Sequence, residues 1–134
     1  MIDVLSKEFQ TKVAEELKIT DLSEENIVNA SKGHYYLRLL LVHLKIKTKY
    51  EGDLTVKFSE LYEFYKYENQ KAYSDSDIKN IYIPAHKDYR EIKLKLNKIE
   101  IAIRYLEDIV KAFNNRSFVI KNQIELKKLD NLGV

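Results

Sequence analysis

The chain has no cysteine and no tryptophan, and it has only three glycines and one proline. The absence of cysteine excludes disulfide bonds and thiolate metal sites and suits a reducing cytosol. So few helix breakers favour long helices over a turn-rich β architecture. The longest apolar run, Leu39 to Val42, is far too short to span a membrane, and no signal-peptide hydrophobic region follows Met1. We therefore expect an all-α protein of the cytoplasm.

Charge is balanced over the whole chain but unevenly distributed along it. Apolar residues make up 45% and charged residues 33%, a composition that supports a folded core and argues against global disorder. The net charge of +2 is too small to indicate nucleic-acid binding by itself. Residues 1–32 carry a net charge of −3, residues 33–73 of +2 and residues 74–134 of +3. The sequence thus has an acidic head followed by a mildly basic body.

The hydrophobic pattern divides one predicted helical domain, residues 1–134, into four parts. Residues 1–32 form an acidic N-terminal helix and linker, in which Leu5, Phe9 and Val13 recur at steps of four. Residues 33–68 form a long helix, with Leu37, Leu40 and Leu44 beginning its apolar seam. Gly52 weakens that helix by about 1 kcal/mol relative to alanine, so we expect one helix, with a bend or a break near Gly52 as the alternatives. The other two parts are a loop with a short helical turn (69–87) and a C-terminal heptad helix or helix pair (88–130).

A short helical turn is predicted within the loop. Residues 74–77, Ser-Asp-Ser-Asp, are expected to be a loop that supplies a good N-cap for a turn over residues 78–83. Pro84 is expected to end that piece, because the residue before a proline is restricted to extended conformations.

Residues 88–130 carry the clearest periodicity in the sequence. Apolar side chains alternate steps of three and four from Tyr89 to Phe113, which is typical of heptad packing, and a second apolar row flanks them. A helix that is apolar on more than one side needs partners on two sides, so we expect a homo-oligomer through the C-terminal helices. The alternative is a monomeric helical hairpin with the N-terminal helix as a third layer. The residues assigned to the interface are Ile92, Leu96, Ile99, Ile103, Leu106, Val110, Phe113, Phe118, Ile120 and Ile124.

No catalytic or metal-binding pattern is present in the sequence. The three histidines, His34, His43 and His86, are not spaced as metal ligands, and no phosphate loop, dinucleotide fingerprint or nucleophile elbow occurs. The paired carboxylates are better explained as solvated faces and caps. We therefore expect a protein that is not an enzyme and that has no cofactor.

The stretch LYEFYKYENQKAY, residues 61–73, combines four tyrosines with two lysines. Rows of lysines bind phosphates, and aromatic rings among them can stack on unpaired bases. Helical position assigns Tyr65 to the apolar seam and leaves Tyr67, Tyr62 and Tyr73 as possible stacking residues. The alternative is a solvated helix face, since glutamates interleave with these lysines. The residues assigned to DNA binding are Lys45, Lys49, Lys57, Lys66, Lys71, Tyr62 and Tyr67.

Two segments resemble the UvsY family of phage recombination mediator proteins. Residues 116–124, RSFVIKNQI, are similar to the R-x-F-x-I-K-x-x-I ending of that family, which a short helical tail and a glycine, here Gly133, follow. Residues 61–67, LYEFYKY, resemble the tyrosine-rich end of the long helix in these proteins. The resemblance covers residues 33 to 128. The sequence departs from the family at Tyr62 and Phe64, where a lysine and an arginine can stand.

The resemblance implies a small, all-helical, non-enzymatic protein that assembles into rings of six or seven subunits through its C-terminal helices. Such proteins bind single-stranded DNA and help a RecA-like recombinase load onto DNA covered by single-strand-binding protein, and they contact both proteins. A phage-encoded member would act in the host cell cytoplasm. The rival hypothesis is a structural coiled-coil or assembly-chaperone subunit without nucleic-acid binding, and titration with single-stranded DNA separates the two.

Overall fold

Every regular element of the described chain is helical. The computed structural model describes residues 2–18, 22–68 and 71–131, except for the side chains of residues 22–30, 117, 130 and 131. The all-α prediction is confirmed, and no strand occurs in these ranges. The elements are α1 (Lys7–Glu16), α2 (Leu22–Glu63) with a following π-helical turn (Phe64–Glu68), α3 (Asp75–Asp77), a second π-helical turn (Ile78–Tyr82), α4 (Ile83–Ala85) and α5 (Lys87–Asn131).

Helix α1 is the short N-terminal helix that the sequence predicts. Ser6 is its N-cap, and the Ser6 hydroxyl accepts a hydrogen bond from the backbone N–H of Phe9 at 3.2 Å. Glu8 in the first turn interacts favourably with the positive end of the helix dipole. Phe9 and Val13, one turn apart, are buried, so the amphipathic face contributes to a core.

Helix α2 begins earlier than the sequence pattern predicts, and it is not broken. It starts at Leu22, so the expected linker is wrong for residues 22–32, while residues 19–21 lie outside the described part of the chain. Each further residue adds one hydrogen bond to an existing helix, and no glycine or proline intervenes before Gly33. The helix also continues through Gly52, where a Cβ atom would meet open space. A local cost of about 1 kcal/mol is smaller than the loss of the helical hydrogen bonds that a break would expose.

The first half of the α2 seam is shifted from the predicted register. Tyr36, Leu40 and His43 are buried, whereas Leu37 and Leu44 are exposed. Leu40 is the one member of the predicted set that is buried. The sequence pattern favoured the leucines, but a tyrosine fills the core position because its ring packs while its hydroxyl finds a partner.

The described chain falls into two compact units, and residues 1–42 and 102–134 form the first. An aromatic stack lies at its centre: the Tyr36 ring lies 5.2 Å from that of Phe113 and 5.8 Å from that of Phe9. The Tyr36 hydroxyl donates a 2.5 Å hydrogen bond to Glu16 Oε2. Burial, together with this bond, raises the pKa of Tyr36 far above its ordinary value, so the phenol stays a neutral donor.

Arg116 closes the C-terminal end of α1 within the same unit. Its side chain is buried, with 6% of the residue exposed. The guanidinium donates hydrogen bonds to the backbone carbonyls of Glu16 and Lys18. The last carbonyls of a helix have no partner within the helix and lie at the negative end of its dipole, so a buried cation is well matched to them. Residue 116 of α5 thereby holds α1 in place.

Residues 43–101 form the second unit. Leu61, Ile78 and Ile83 are its buried cluster, and partly buried aromatic rings pack against them. The Ser74 hydroxyl accepts a hydrogen bond from the Asp77 N–H at 3.2 Å and caps α3, so the helical piece begins at Asp75 and not at Ile78 as predicted. The helical piece does not end at Pro84 but continues to Ala85, because proline is tolerated in the first turn of α4. Of the predicted loop, residues 69 and 70 lie outside the described chain.

The predicted seam of α5 contributes to the cores of the two units. Six of the ten residues assigned to the oligomer interface are buried within the single chain: Leu96, Ile99, Ile103, Leu106, Phe113 and Ile120. Ile92, Val110 and Ile124 are half-buried, and Phe118 is 65% exposed. A buried side chain has no surface to offer a partner, so the monomer itself uses most of this seam. None of the described helices is long and apolar enough to cross a membrane.

Candidate nucleic-acid interface

The end of α2 and the segment that follows it carry the tyrosines on which the DNA-binding prediction depends. Tyr65, Tyr73, Tyr82 and His86 form a ring cluster, which we call the tip cluster. Tyr73 and Tyr82 are closest, with ring centroids 4.2 Å apart, and Tyr65 lies 5.6 Å from Tyr82 and 6.1 Å from Tyr73. The assignment of Tyr65 to the packed seam is confirmed. Tyr73 is a possible stacking residue by sequence, but in the structure its ring packs within the tip cluster.

Tyr67 is the most exposed aromatic residue of the stretch. Its side chain is 74% exposed at the last turn of the π-helical segment. Phe64 is also exposed, but its ring packs on that of Tyr65 at 5.3 Å. Tyr67 is thus open to solvent, a condition for stacking on a base.

Lys66 and Tyr62, both assigned to DNA binding, converge on one carboxylate. Lys66 Nζ lies 2.7 Å from Asp75 Oδ1, and the Tyr62 hydroxyl donates to the same oxygen at 3.0 Å. The hydrogen bond from Lys66, followed by that from Tyr62, lowers the pKa of Asp75. The same contacts raise the pKa of Lys66 and of Tyr62. Asp75 is the first residue of α3, so this arrangement ties the segment after residue 70 to the end of α2.

Tyr62 is engaged on its ring as well as on its hydroxyl. Lys79 Nζ lies 5.7 Å from the centre of the Tyr62 ring, a cation–π distance. The ring also packs against the buried cluster of the second unit. Base stacking on Tyr62 would have to displace Lys79, so Tyr67 is the more accessible ring of the two.

The remaining assigned lysines differ in their surroundings. Lys57 forms a 3.0 Å ion pair with Glu60, one helical turn away, and that hydrogen bond raises the pKa of Lys57. Lys45 and Lys49 are exposed on α2 and form no ion pair with another residue that the structure describes. Lys71 is exposed too. Among the assigned lysines of α2, Lys45 and Lys49 are therefore the two without an ion pair to a described carboxylate.

A further set of cations lies on α5 and was not singled out by sequence reasoning. Arg90, Lys93, Lys95 and Lys98 are all exposed. Residues 87–98 carry five basic and two acidic side chains, a net charge of +3. A count of charges in short windows along the predicted helix detects this surface, whereas the periodicity of the apolar residues does not indicate it.

The arrangement contains cations and aromatic rings but no group suited to holding a metal. Within the described ranges, no three histidine, aspartate or glutamate side chains come together as metal ligands do. The class that the described residues define is an all-α protein whose long helices display lysines, arginines and an exposed tyrosine.

Comparison with known proteins gives the family. The sequence model described as "Recombination, repair and ssDNA binding protein UvsY" matches residues 6–133, so the chain belongs to the UvsY family. This confirms the resemblance that residues 61–67 and 116–124 carry. No curated protein matches the chain significantly by sequence.

Solved structures agree on the fold. Three crystal forms of the bacteriophage T4 recombination mediator protein UvsY (lattice types IV, II and I) match the chain with TM-scores of 0.79, 0.80 and 0.79. The sequence identity is 17% in each case, and the match covers 92–93% of this chain and 96–99% of the T4 chains. At 17% identity, the structural similarity shows that the chain and the T4 protein share a fold.

Proposed function

We propose that the chain is a recombination mediator that binds single-stranded DNA. It promotes loading of a RecA-like recombinase onto DNA that single-strand-binding protein covers, and it contacts both proteins. The observation that carries this proposal is the family match over residues 6–133, nearly the whole chain. The protein acts by binding rather than by catalysis, and it works in the cytoplasm, that of the host cell if a phage encodes it.

On α2 and the turn that follows it, Lys45, Lys49 and Tyr67 are the best-placed residues for DNA contact. The two lysines are exposed and free of carboxylate contacts among the described residues, and the Tyr67 ring faces solvent. Mobile cations neutralise phosphates, while an exposed ring stacks on a base without selecting its identity. Lys57 and Lys66 contribute only if DNA phosphate displaces Glu60 and Asp75, their present partners. Binding is therefore expected to be tolerant of sequence.

Assembly multiplies these few contacts. We propose a ring-like homo-oligomer of six or seven subunits, formed through the C-terminal part of α5. Support comes from the apolar side chains of the described residues that stay exposed there. They are Phe118, Val119, Leu126 and Leu129. One strand that contacts several subunits gains affinity from all of them, because each later contact is intramolecular.

Fluorescence anisotropy of a labelled oligo(dT) tests the binding proposal. Affinity is expected to fall steeply as salt rises, since each phosphate contact on single-stranded DNA contributes about −0.7 to the slope of log K against log salt. Absent or salt-insensitive binding would instead favour a structural coiled-coil or assembly-chaperone subunit. Native mass spectrometry of the same sample gives the subunit number.

A further inference from the structure

We infer that the outer face of α5 over residues 87–98 is a second phosphate-binding surface for single-stranded DNA. Its cations are Arg90, Lys93, Lys95 and Lys98, and we call it the α5 basic face. The inference rests on the proposed function in taking single-stranded DNA as the ligand, and it adds a surface on a different helix from Lys45 and Lys49.

Charge compensation distinguishes the α5 basic face from the end of α2. Residues 57–71 carry three basic and three acidic side chains, and Lys57 and Lys66 are bound to carboxylates. Arg90, Lys93 and Lys98 form no ion pair with a carboxylate of the described residues. The nearest compensation is Glu91, whose Oε1 lies 3.9 Å from Lys87 Nζ, with both side chains exposed.

The spacing of these cations makes like charges neighbours on the helix. Side chains three residues apart on a helix are neighbours, and like charges at that spacing are destabilising. Three such pairs occur here: Lys87 with Arg90, Arg90 with Lys93, and Lys95 with Lys98. A polyanion that lies along the helix removes this repulsion, because each phosphate can be shared by two cations. Glu91 lies four residues from both Lys87 and Lys95, a favourable spacing for opposite charges. Arg90, Lys93 and Lys98 have no acidic residue three or four positions away, so a bound anion is the compensation that they lack.

The apolar side chains in and beside the α5 basic face favour backbone contact over base stacking. Leu94 lies among the cations and Ile101 just beyond them, and both are exposed aliphatic residues. The ring of the nearby Tyr89 packs against that of Phe58, with the ring centroids 6.5 Å apart. A face of cations without an accessible aromatic ring binds the phosphate backbone, so it does not discriminate between bases. Residues 87–98 extend over about 17 Å of helix, enough to follow a strand rather than a single phosphate.

The test compares the wild-type protein with the triple variant Arg90→Gln, Lys93→Gln, Lys98→Gln. Salt titration of oligo(dT) binding gives the number of phosphate contacts. Loss of three contacts reduces the magnitude of the salt slope by about 2 for each bound subunit. Between 200 and 50 mM salt, wild-type affinity then rises about 20-fold more than that of the variant. Thermal melting confirms folding, since removing like-charge pairs leaves the variant at least as stable as the wild type.

The matched control is a second triple variant, Lys7→Gln, Lys111→Gln, Lys121→Gln, which also removes three positive charges, here from the first unit. All three side chains are exposed and lie outside the second unit, so the salt slope is expected to stay closer to the wild-type value than that of the α5 variant. If the wild type fails to bind DNA, the proposed function itself is wrong. If the wild type binds and the α5 variant keeps its affinity and slope, only the present inference is overturned. An equal loss in both triple variants overturns it as well, because the effect is then one of net charge.

Discussion

Replacing Arg116 with methionine is expected to destabilise the packing of α1 against the rest of the first unit. The guanidinium donates hydrogen bonds to the carbonyls of Glu16 and Lys18, and only 6% of the residue is exposed to solvent. A hydrogen bond with a charged partner contributes about 1.5–3 kcal/mol, so loss of two destabilises the fold by about 3 kcal/mol or more. Methionine keeps the apolar stem, which limits the cavity that is created.

Two measurements test this expectation. For a chain of this length, about 3 kcal/mol corresponds to a fall in Tm of about 10 °C. Amide hydrogen exchange should accelerate first in α1, residues 7–16, because the lost bonds hold its C-terminal end. Arg104→Met is the matched control: the same substitution on an exposed residue of α5, expected to change stability by less than about 0.5 kcal/mol. Equal melting temperatures for the two variants, or faster exchange outside α1 alone, would refute the role of Arg116.

Three further perturbations follow from particular contacts. The Asp75 carboxyl should titrate below its ordinary pKa in an NMR titration, so its contacts are fully formed above about pH 4 and lost as pH falls through the lowered value. Lys66→Gln should move that pKa upward, and an unmoved pKa would contradict the contact. Gly52→Ala should raise the free energy of unfolding by about 0.5–1 kcal/mol in urea, since the added Cβ meets open space in a helix interior, and a loss of stability would mean that the helix bends there. Phe118→Asp should reduce the mass seen by light scattering while the circular dichroism spectrum is unchanged, because the side chain is exposed in the single chain, and a wild-type mass would move the interface elsewhere.

The Asp75 contacts also affect the proposed binding of DNA. Lys66 and Tyr62, both assigned to DNA binding from the sequence, bind one oxygen of the Asp75 carboxylate. A DNA phosphate that competes for Lys66 would have to displace Asp75, the first residue of α3. Arg90, Lys93 and Lys98 form no ion pair with a described carboxylate, so we expect each of them to contribute more than Lys66.

Local chemistry was enough to predict several features of the fold. Scarce glycine and proline, with apolar residues at steps of three and four, predict long helices because backbone hydrogen bonds and side-chain burial both favour them. Two such features are the buried face of Phe9 and Val13 and the packed ring of Tyr65, since helical spacing along the chain places them. Family membership also followed from short segments, residues 61–67 and 116–124, and it is confirmed.

Partners distant in the sequence decided the rest. The pattern could not choose Tyr36 over Leu37, because the choice depends on Glu16 and Phe113, which lie 20 and 77 positions away. It could not show that Arg116 binds the carbonyls of Glu16, or that Asp75 neutralises Lys66, since both contacts exist only once the helices pack. Periodicity specifies which side of a helix is buried, but not whether that side meets the same chain or another copy. Most of the α5 seam meets its own chain, and for that reason the sequence alone placed the interface on residues that the monomer buries.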